Sequence, residues 1–209
     1  MYPPAAEKKL RRGLQTGEGK MNYRKGNSND LKALKNLAIK SWRQFQNELT
    51  PENWKKLENN LSNDKTYIDL LENSYNIICI NDSEEIIGMS FLVPKGNPTD
   101  LFDKDWCYIR YVTVDPNYCG QGIGRHLTEK LIQYAKDNGE KTIALHTSEM
   151  MNKARHIYES LGFTILKEIE PRFDKKYWIY TLEVNPKRVL HPLVVKKHLF
   201  SRKGLSLSQ

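Results

Sequence analysis

The stretch Val112-Thr-Val-Asp-Pro-Asn-Tyr-Cys-Gly-Gln-Gly-Ile-Gly124 decides how this chain is read, because it joins a strand, a turn and a glycine-rich helix start. Val112, Thr113 and Val114 are β-branched, Asp115-Pro116 stops the strand, and Gly120, Gly122 and Gly124 expose backbone N–H groups where the next helix begins. A helix N-terminus carries roughly +0.5 charge and orphan donors, so a pyrophosphate is a natural ligand there. A triphosphate-binding loop would need Gly-Lys-Ser/Thr after four intervening residues, and Gly124 is followed by Arg125 and His126. Nor do the glycines open an early βαβ unit, as a dinucleotide fold requires. Taken alone, the glycines also fit a turn that needs positive φ.

The flanking sequence reads as one alternating succession of strands and helices. A short strand near Asn22 to Lys25 precedes Asn29-Asp30, which can cap a helix carrying Leu31, Leu34, Leu37, Ala38, Trp42 and Phe45 inward. Thr50-Pro51-Glu52 opens a second helix with Trp54, Leu57 and Leu61, and Tyr67 to Leu71 adds a further turn. Tyr75 to Ile80 and Glu85 to Val93 flank an Asn-Asp-Ser turn and form a hairpin. Trp106 to Val114 feeds the glycine loop, and Gly122 to Asp137 is the helix after it, closed by Gly139. Thr142 to Thr147 is a short buried strand. Ser148 can cap a helix from about Glu149 to Leu161, Gly162 ends it, and Phe163 to Glu168 and Tyr177 to Val184 are the last strands.

Two segments in this order carry a resemblance. Cys119 to Gly124 is similar to the acyl-CoA-binding pattern Gln/Arg-x-x-Gly-x-Gly/Ala of the GNAT N-acetyltransferases, with Gly122 and Gly124 matching and Cys119 in place of the opening Gln/Arg. About thirty residues on, Ala154-Arg-His-Ile-Tyr158-Glu-Ser-Leu-Gly162-Phe163 resembles the family's Ala-x-x-x-Tyr-x-x-x-Gly-Phe segment. The resemblance covers Met21 to Val184. It implies an α/β (α+β) fold: a single GNAT-like domain with a central mixed twisted sheet of six to seven strands flanked by about four helices. It also implies acetyl-CoA as co-substrate, no metal, and transfer of the acetyl group to a primary amine by direct attack in a ternary complex.

Such a transfer needs a neutral amine, an oriented carbonyl and a protonated leaving thiolate. For an amine with pKa near 10.4, about one molecule in 2,500 is neutral at pH 7, a penalty of roughly 4 to 5 kcal/mol. The resemblance places the thioester between the strands Trp106 to Val114 and Thr142 to Thr147, with backbone groups near Val112 and Val114 holding the pantetheine. Gly120, Gly122, Ile123, Gly124 and Arg125 then meet the pyrophosphate. Tyr158 matches the family tyrosine that approaches the sulfur, and a phenol can donate to a departing thiolate while remaining neutral. From periodicity alone Tyr158 reads equally as core.

The general base is not determined. The strand position where many relatives carry glutamate is Tyr108, leaving Asp103, Asp105 or His146 acting through water, or no dedicated base. His126 and His156 fall on exposed helix faces. Asn152 lies one position from the usual family asparagine, which aligns with Met151, so the resemblance implies only a weak cofactor contact there. Cys119 precedes a positive helix end, where a thiol pKa can fall; loop packing is the plainer account. Trp42, Phe45, Trp54 and Tyr67 either wall an acceptor pocket or form core. The missing glutamate and Cys119 keep a second function open, a non-catalytic acyl-CoA-binding regulatory module.

Composition bounds the remaining choices. A chain of 209 residues suffices for one well-buried domain. The net charge is +8, yet residues 1–20 carry +3 and residues 185–209 carry +6, leaving residues 21–184 at −1 with 22 basic and 23 acidic side chains. A nucleic-acid-binding surface would therefore rest on the tails alone. The three cysteines, Cys79, Cys107 and Cys119, show no metal spacing and suit a reducing cytoplasm, and no stretch approaches the ~20 apolar residues of a membrane span. Residues 1–20 differ in character from the rest and read as a non-native or disordered leader, with Gly17-Glu-Gly-Lys20 encodable as a purine-rich ribosome-binding site ahead of a start at Met21. Residues 185–209 form a basic extension with an apolar patch, Val189, Leu190, Leu193, Val194 and Val195, read as a loose tail or as a segment that docks on its own domain or on a second copy, giving a homodimer.

Overall fold

A computed structural model describes residues 20–185; the leader and nearly all of the basic extension, with its apolar patch, lie outside the described residues. Strand β1 (Asn22–Arg24) is followed by a 3-10 turn whose cap is Asn27, the side chain accepting from Asn29 N, while Asp30 reaches back to the Asn27 N–H at 2.8 Å. Helices α1 (Leu31–Trp42), α2 (Pro51–Leu61) and α3 (Asp64–Asn73) precede β2 (Tyr75–Ile80), β3 (Ile86–Val93) and β4 (Cys107–Val114). Then come α4 (Ile123–Asp137), β5 (Thr142–Ser148), α5 (Asn152–Ser160), β6 (Thr164–Arg172) and β7 (Lys175–Glu183). The seven strands form one mixed sheet in the order β1-β2-β3-β4-β5-β7-β6. Every pair is antiparallel except β4 with β5.

Both faces are covered, which is why β2 and β3 read as nearly continuous apolar runs rather than alternating ones. One face packs on Leu34, Leu37 and Ala38 of α1, Trp54, Leu57 and Leu61 of α2, and Tyr67 and Leu70 of α3. The other packs on Ile123, Leu127, Leu131 and Ala135 of α4, with Tyr158 and Phe163. Thus Trp54 and Tyr67 are core residues, Tyr67 donating to Leu61 O at 3.0 Å, while Trp42 and Phe45 are half-buried and meet edge to face at 5.7 Å.

Four departures from the sequence reading have local causes. The apolar residues hide a whole helix at α3, whose first turn Asp64-Lys-Thr is polar and whose cap is Asn63, accepting from Lys65 N. The described residues thus hold five α-helices. The first helix stops at Trp42, and Phe45 sits in a 3-10 turn, Arg43–Glu48. Ser148 does not cap α5: it is still in β5, paired with Tyr177, and the helix begins at Asn152 behind Met151 with no side-chain cap. Finally, β6 and β7 run on to a two-residue turn, Phe173-Asp174, with φ of 56° and 58°, as a type I′ hairpin requires. Two non-glycine residues at positive φ are costly; Phe173 offsets this by packing on the first core, and Asp174 accepts from Asn53 Nδ2 of α2 at 2.7 Å.

Candidate active site

The parallel pair β4 and β5 keeps register for only two residues, Cys107↔Ile143 and Tyr108↔Ala144. Beyond them β4 stays with β3 as far as Val114↔Gly88, and β5 stays with β7 as far as Ser148↔Tyr177. The sheet therefore opens into a wedge. Its walls are the inner backbone edges of Ile109–Val114 and Leu145–Ser148, whose amide and carbonyl groups have no strand between them to pair with.

A bulge shapes the β4 wall. Phe91 pairs with Arg110 and Met89 with Thr113, so Ser90 alone faces Tyr111 and Val112, and Tyr111 takes a φ of 53°. Tyr111 is kept there by rings on the first core face, with Tyr67 at 5.4 Å and Phe91 at 6.4 Å.

The glycine loop follows at the end of β4. Asp115 N donates to Ile87 O, and its carboxylate accepts from Asn117 N at 2.9 Å and from Lys40 Nζ at 2.6 Å, fastening the loop to α1. Gly120 and Gly122 have φ of 84° and 79°, conformations that an L side chain rarely adopts, with open space around each. Gly122 caps α4, and the first helical bond runs from His126 N to Gly122 O at 2.9 Å. The N–H groups of Ile123, Gly124 and Arg125 thus have no intrahelical acceptor. A β-carbon on Gly124 would lie 3.6 Å from Val114 Cγ2 and 3.7 Å from Ile157 Cδ1, so this glycine lets β4, α4 and α5 converge. The loop approaches β3 at Gly88, where a β-carbon would sit 2.8 Å from Ile123 Cγ2.

Of the residues singled out in the sequence, Val112, Val114, Gly120, Gly122, Ile123 and Gly124 gather around the end of β4. The Arg125 side chain is exposed and engaged, its Nη1 3.0 Å from Ser160 Oγ and its Nε 2.9 Å from Glu129 Oε1. Asn152 is the exposed first residue of α5. Cys119 is exposed beside the glycines, with its sulfur 3.7 Å from Asp115 O. Tyr158 is buried against Phe163, ring centroids 5.9 Å apart, and its hydroxyl has no hydrogen-bond partner among the described residues. Burial pushes its phenol well above the ordinary value near 10.

The candidates for the base divide sharply. Tyr108 is buried and stacked on Phe102 at 4.4 Å, a core role. Asp103 and Asp105 are exposed on the loop before β4, and the Asp103 carboxylate is turned inward on Asp105 N. His126 is half-buried rather than exposed, its ring 4.3 Å from that of Tyr23, and His156 is exposed. His146 alone stands on a wedge wall, between Phe102 and Tyr177, each 6.0 Å away, with Nδ1 enclosed and unpartnered. Burial, reinforced by the Arg110 and Arg172 guanidiniums and opposed by Asp100, pulls its pKa from 6.5 down to about 4. The imidazole is neutral at pH 7, with a lone pair to offer. An unfolded histidine binds its proton below about pH 6.5 and this one only near pH 4, so the native state loses stability as pH falls between those values. Urea unfolding at pH 7.5 and 4.5 should show the wild type losing about 2 kcal/mol more than His146→Gln across that interval.

Sequence reasoning passed over Arg110 and Gly88. The signal for Arg110 was a lone charge inside Trp106-Cys-Tyr-Ile-Arg-Tyr-Val-Thr-Val114, an otherwise apolar strand. Among the described residues there is no group of three or more His, Cys, Asp or Glu placed to hold a metal ion, and no helix long and apolar enough to cross a membrane.

The chain is similar to known proteins. Human N-acetyltransferase 8B is 34% identical over 80 residues, 38% of this chain and 34% of that protein. The ribosomal protein bS18-alanine N-acetyltransferase of Haemophilus influenzae is 30% identical over 118 residues, 56% of this chain and 68% of that protein. The chain spans only about a third of the length of the first curated relatives it matches, between 30% and 34%. Among solved structures, the PaiA N-acetyltransferase of Thermoplasma acidophilum in complex with coenzyme A superposes with a TM-score of 0.65 at 14% identity, covering 79% of this chain and 99% of that one. The family model described as the acetyltransferase (GNAT) family matches residues 34–163, from α1 through the wedge and the glycine loop to the end of the Tyr158 segment, and the chain belongs to that family.

Proposed function

We propose that the chain is an N-acetyltransferase that moves the acetyl group of acetyl-CoA to a primary amine by direct attack in a ternary complex. One observation carries this reading: the sheet parts after a two-residue pairing, and the parted strand leads through the loop of residues 115–122 into a glycine-capped helix N-terminus. The residues present fit the donor substrate. Free N–H groups at Ile123 to Arg125 and two glycines at positive φ suit a pyrophosphate, and the unpaired edge at Val112 and Val114 suits an extended amide chain.

Acetyl-CoA supplies an activated thioester carbonyl. The chain's residues orient it and handle protons. Tyr158, neutral at every working pH, gives its hydroxyl hydrogen bond to the departing sulfur. His146 accepts a hydrogen bond from the incoming amine; at a pKa of about 4 it orients the amine and passes the proton on to water rather than storing it. Asn152 stays a peripheral contact at the start of α5. We place the protein in the cytoplasm, where Cys79, Cys107 and Cys119 persist as the free thiols the structure holds, with no nucleic-acid or membrane partner for a body of charge −1. The basic extension is a candidate for self-association.

The rival reading, a non-catalytic acyl-CoA-binding module, is favoured by the exposed Cys119 and the absent strand glutamate. Free-thiol release from acetyl-CoA by the full chain against a pooled amine panel separates the two. Amine-dependent release is expected; tight acetyl-CoA binding by calorimetry with no amine-dependent release would move the regulatory module ahead.

A further inference from the structure

Six arginines lie among the described residues, and five of them meet a carboxylate: Arg24 with Asp30, Arg43 with Glu58, Arg125 with Glu129, Arg155 with Glu159 and Arg172 with Asp100. Arg110 is the exception. It is half-buried and makes neither an ion pair nor a hydrogen bond among the described residues; its guanidinium carbon stands 5.3 Å from the Tyr111 ring centroid. Asp100, whose charge reaches the same His146 as that of Arg110, is engaged by Arg172. A guanidinium held partly out of water without a counter-ion is costly unless a ligand brings the anion.

Its place in the fold says which ligand. The last β4–β5 pair is Tyr108↔Ala144, and continuing that register two residues puts Arg110 level with His146 across the opening wedge. Both project toward the face that carries Tyr108 and Ala144, away from α4 and the glycine loop. The charge of Arg110 reaches Tyr67, Tyr108 and His146. Beside it, the enclosed Nδ1 of His146 is an unpartnered polar atom on the facing strand wall.

We infer that Arg110 binds a carboxylate of the acceptor, so that the amine acetylated sits a few bonds from a carboxyl group, as in a free amino acid. The inference rests on the transferase reading above. A planar fork takes a carboxylate through two parallel N–H bonds, and the α-amine of the same molecule then falls toward His146 on the opposite wall. The acetyl group passes to that nitrogen as the C–S bond breaks, the amine loses one proton, and the thiolate gains one.

The test compares matched acceptors on the full chain: alanine against alaninamide, aspartate against its diamide, and the dipeptide amide Ala-Asp against Ala-Asn. Wild type should favour the free amino acid over its amide by about 10- to 100-fold in kcat/KM, the worth of a charge-assisted bond. Arg110→Gln should remove that preference while leaving the amide within about threefold, and Arg110→Lys should restore part of it. Unchanged acetyl-CoA binding by calorimetry verifies that the variants are folded. A preference confined to Ala-Asp would move the carboxylate from the α-carboxyl to a neighbouring acidic side chain, overturning the free amino acid while keeping the Arg110 contact. Equal turnover of acids and amides by the wild type, or an equal loss of both in Arg110→Gln, overturns the inference and leaves the transferase standing. Thiol release with no amine at all would sink both.

Discussion

Tyr158→Phe is expected to lower kcat by about 10²-fold, the usual worth of a positioned proton donor, with the KM for acetyl-CoA nearly unchanged. The stability readout is what makes this decisive. The phenolic hydroxyl has no hydrogen-bond partner among the described residues, so its removal breaks no native bond and keeps the ring's contact with Phe163. The midpoint of thermal unfolding should therefore stay within about 2 °C of wild type while turnover collapses. A variant as active as wild type would mean that Tyr158 is core and that the thiolate finds its proton elsewhere. Because burial holds the phenol far above its ordinary value, the wild-type rate profile should show no limb from this group between pH 6 and 9.

The second large effect lies at Gly88, a residue with no place in the chemistry. Gly88→Val puts a branched side chain where even a β-carbon would lie 2.8 Å from Ile123 Cγ2, 3.2 Å from Cys79 Cβ and 3.2 Å from Leu127 Cδ1. Ile123 is the first residue of α4, so relief by moving the helix displaces the N–H groups that face the proposed pyrophosphate. Overpacking of this kind costs about 1 to 3 kcal/mol, lowering the unfolding midpoint by roughly 2 to 12 °C in a domain of this size. Affinity for acetyl-CoA should fall together with stability, at least tenfold by calorimetry. Adding Ile123→Ala removes the offending Cγ2 and should recover part of both losses. An additive double variant would show that the two positions do not meet.

How far the sequence could be read depended on whether each residue's role was local. Thr50-Pro51 and Gly162 are short-range signals, and the elements they bound are where their chemistry puts them: Thr50 caps α2 by accepting from Asn53 N, and Gly162 leaves α5 with a φ of 93°. The glycine loop was legible for the same reason, since positive φ at Gly120 and Gly122 and a helix start are properties of a few consecutive residues. Helix α3 was truncated because its polar first turn contributes nothing to an apolar period, although Asn63 was available as its cap. The Phe173-Asp174 turn escaped because an aromatic at positive φ contradicts local preference and is held by Asn53, 121 residues away from Asp174 in sequence. The acceptor side was hidden for a deeper reason. That Arg110 lacks a carboxylate, and that His146 stands level with it, are facts about pairing between strands separated by α4.

The parted strands also make the sheet two plates. One holds β1 to β4, the other β5, β7 and β6, and the backbone seam between them is only Cys107–Tyr108 against Ile143–Ala144. A donor molecule lying along the seam would act as a splint, sharing hydrogen bonds with both plates where the chain itself supplies none. By mass action, a donor at a hundred times its dissociation constant adds about 2.7 kcal/mol to the folded state. A cell that runs short of acyl donor would then hold this protein at lower stability as well as lower activity, and proteases that sample opened plates would adjust its abundance to the supply of its own co-substrate.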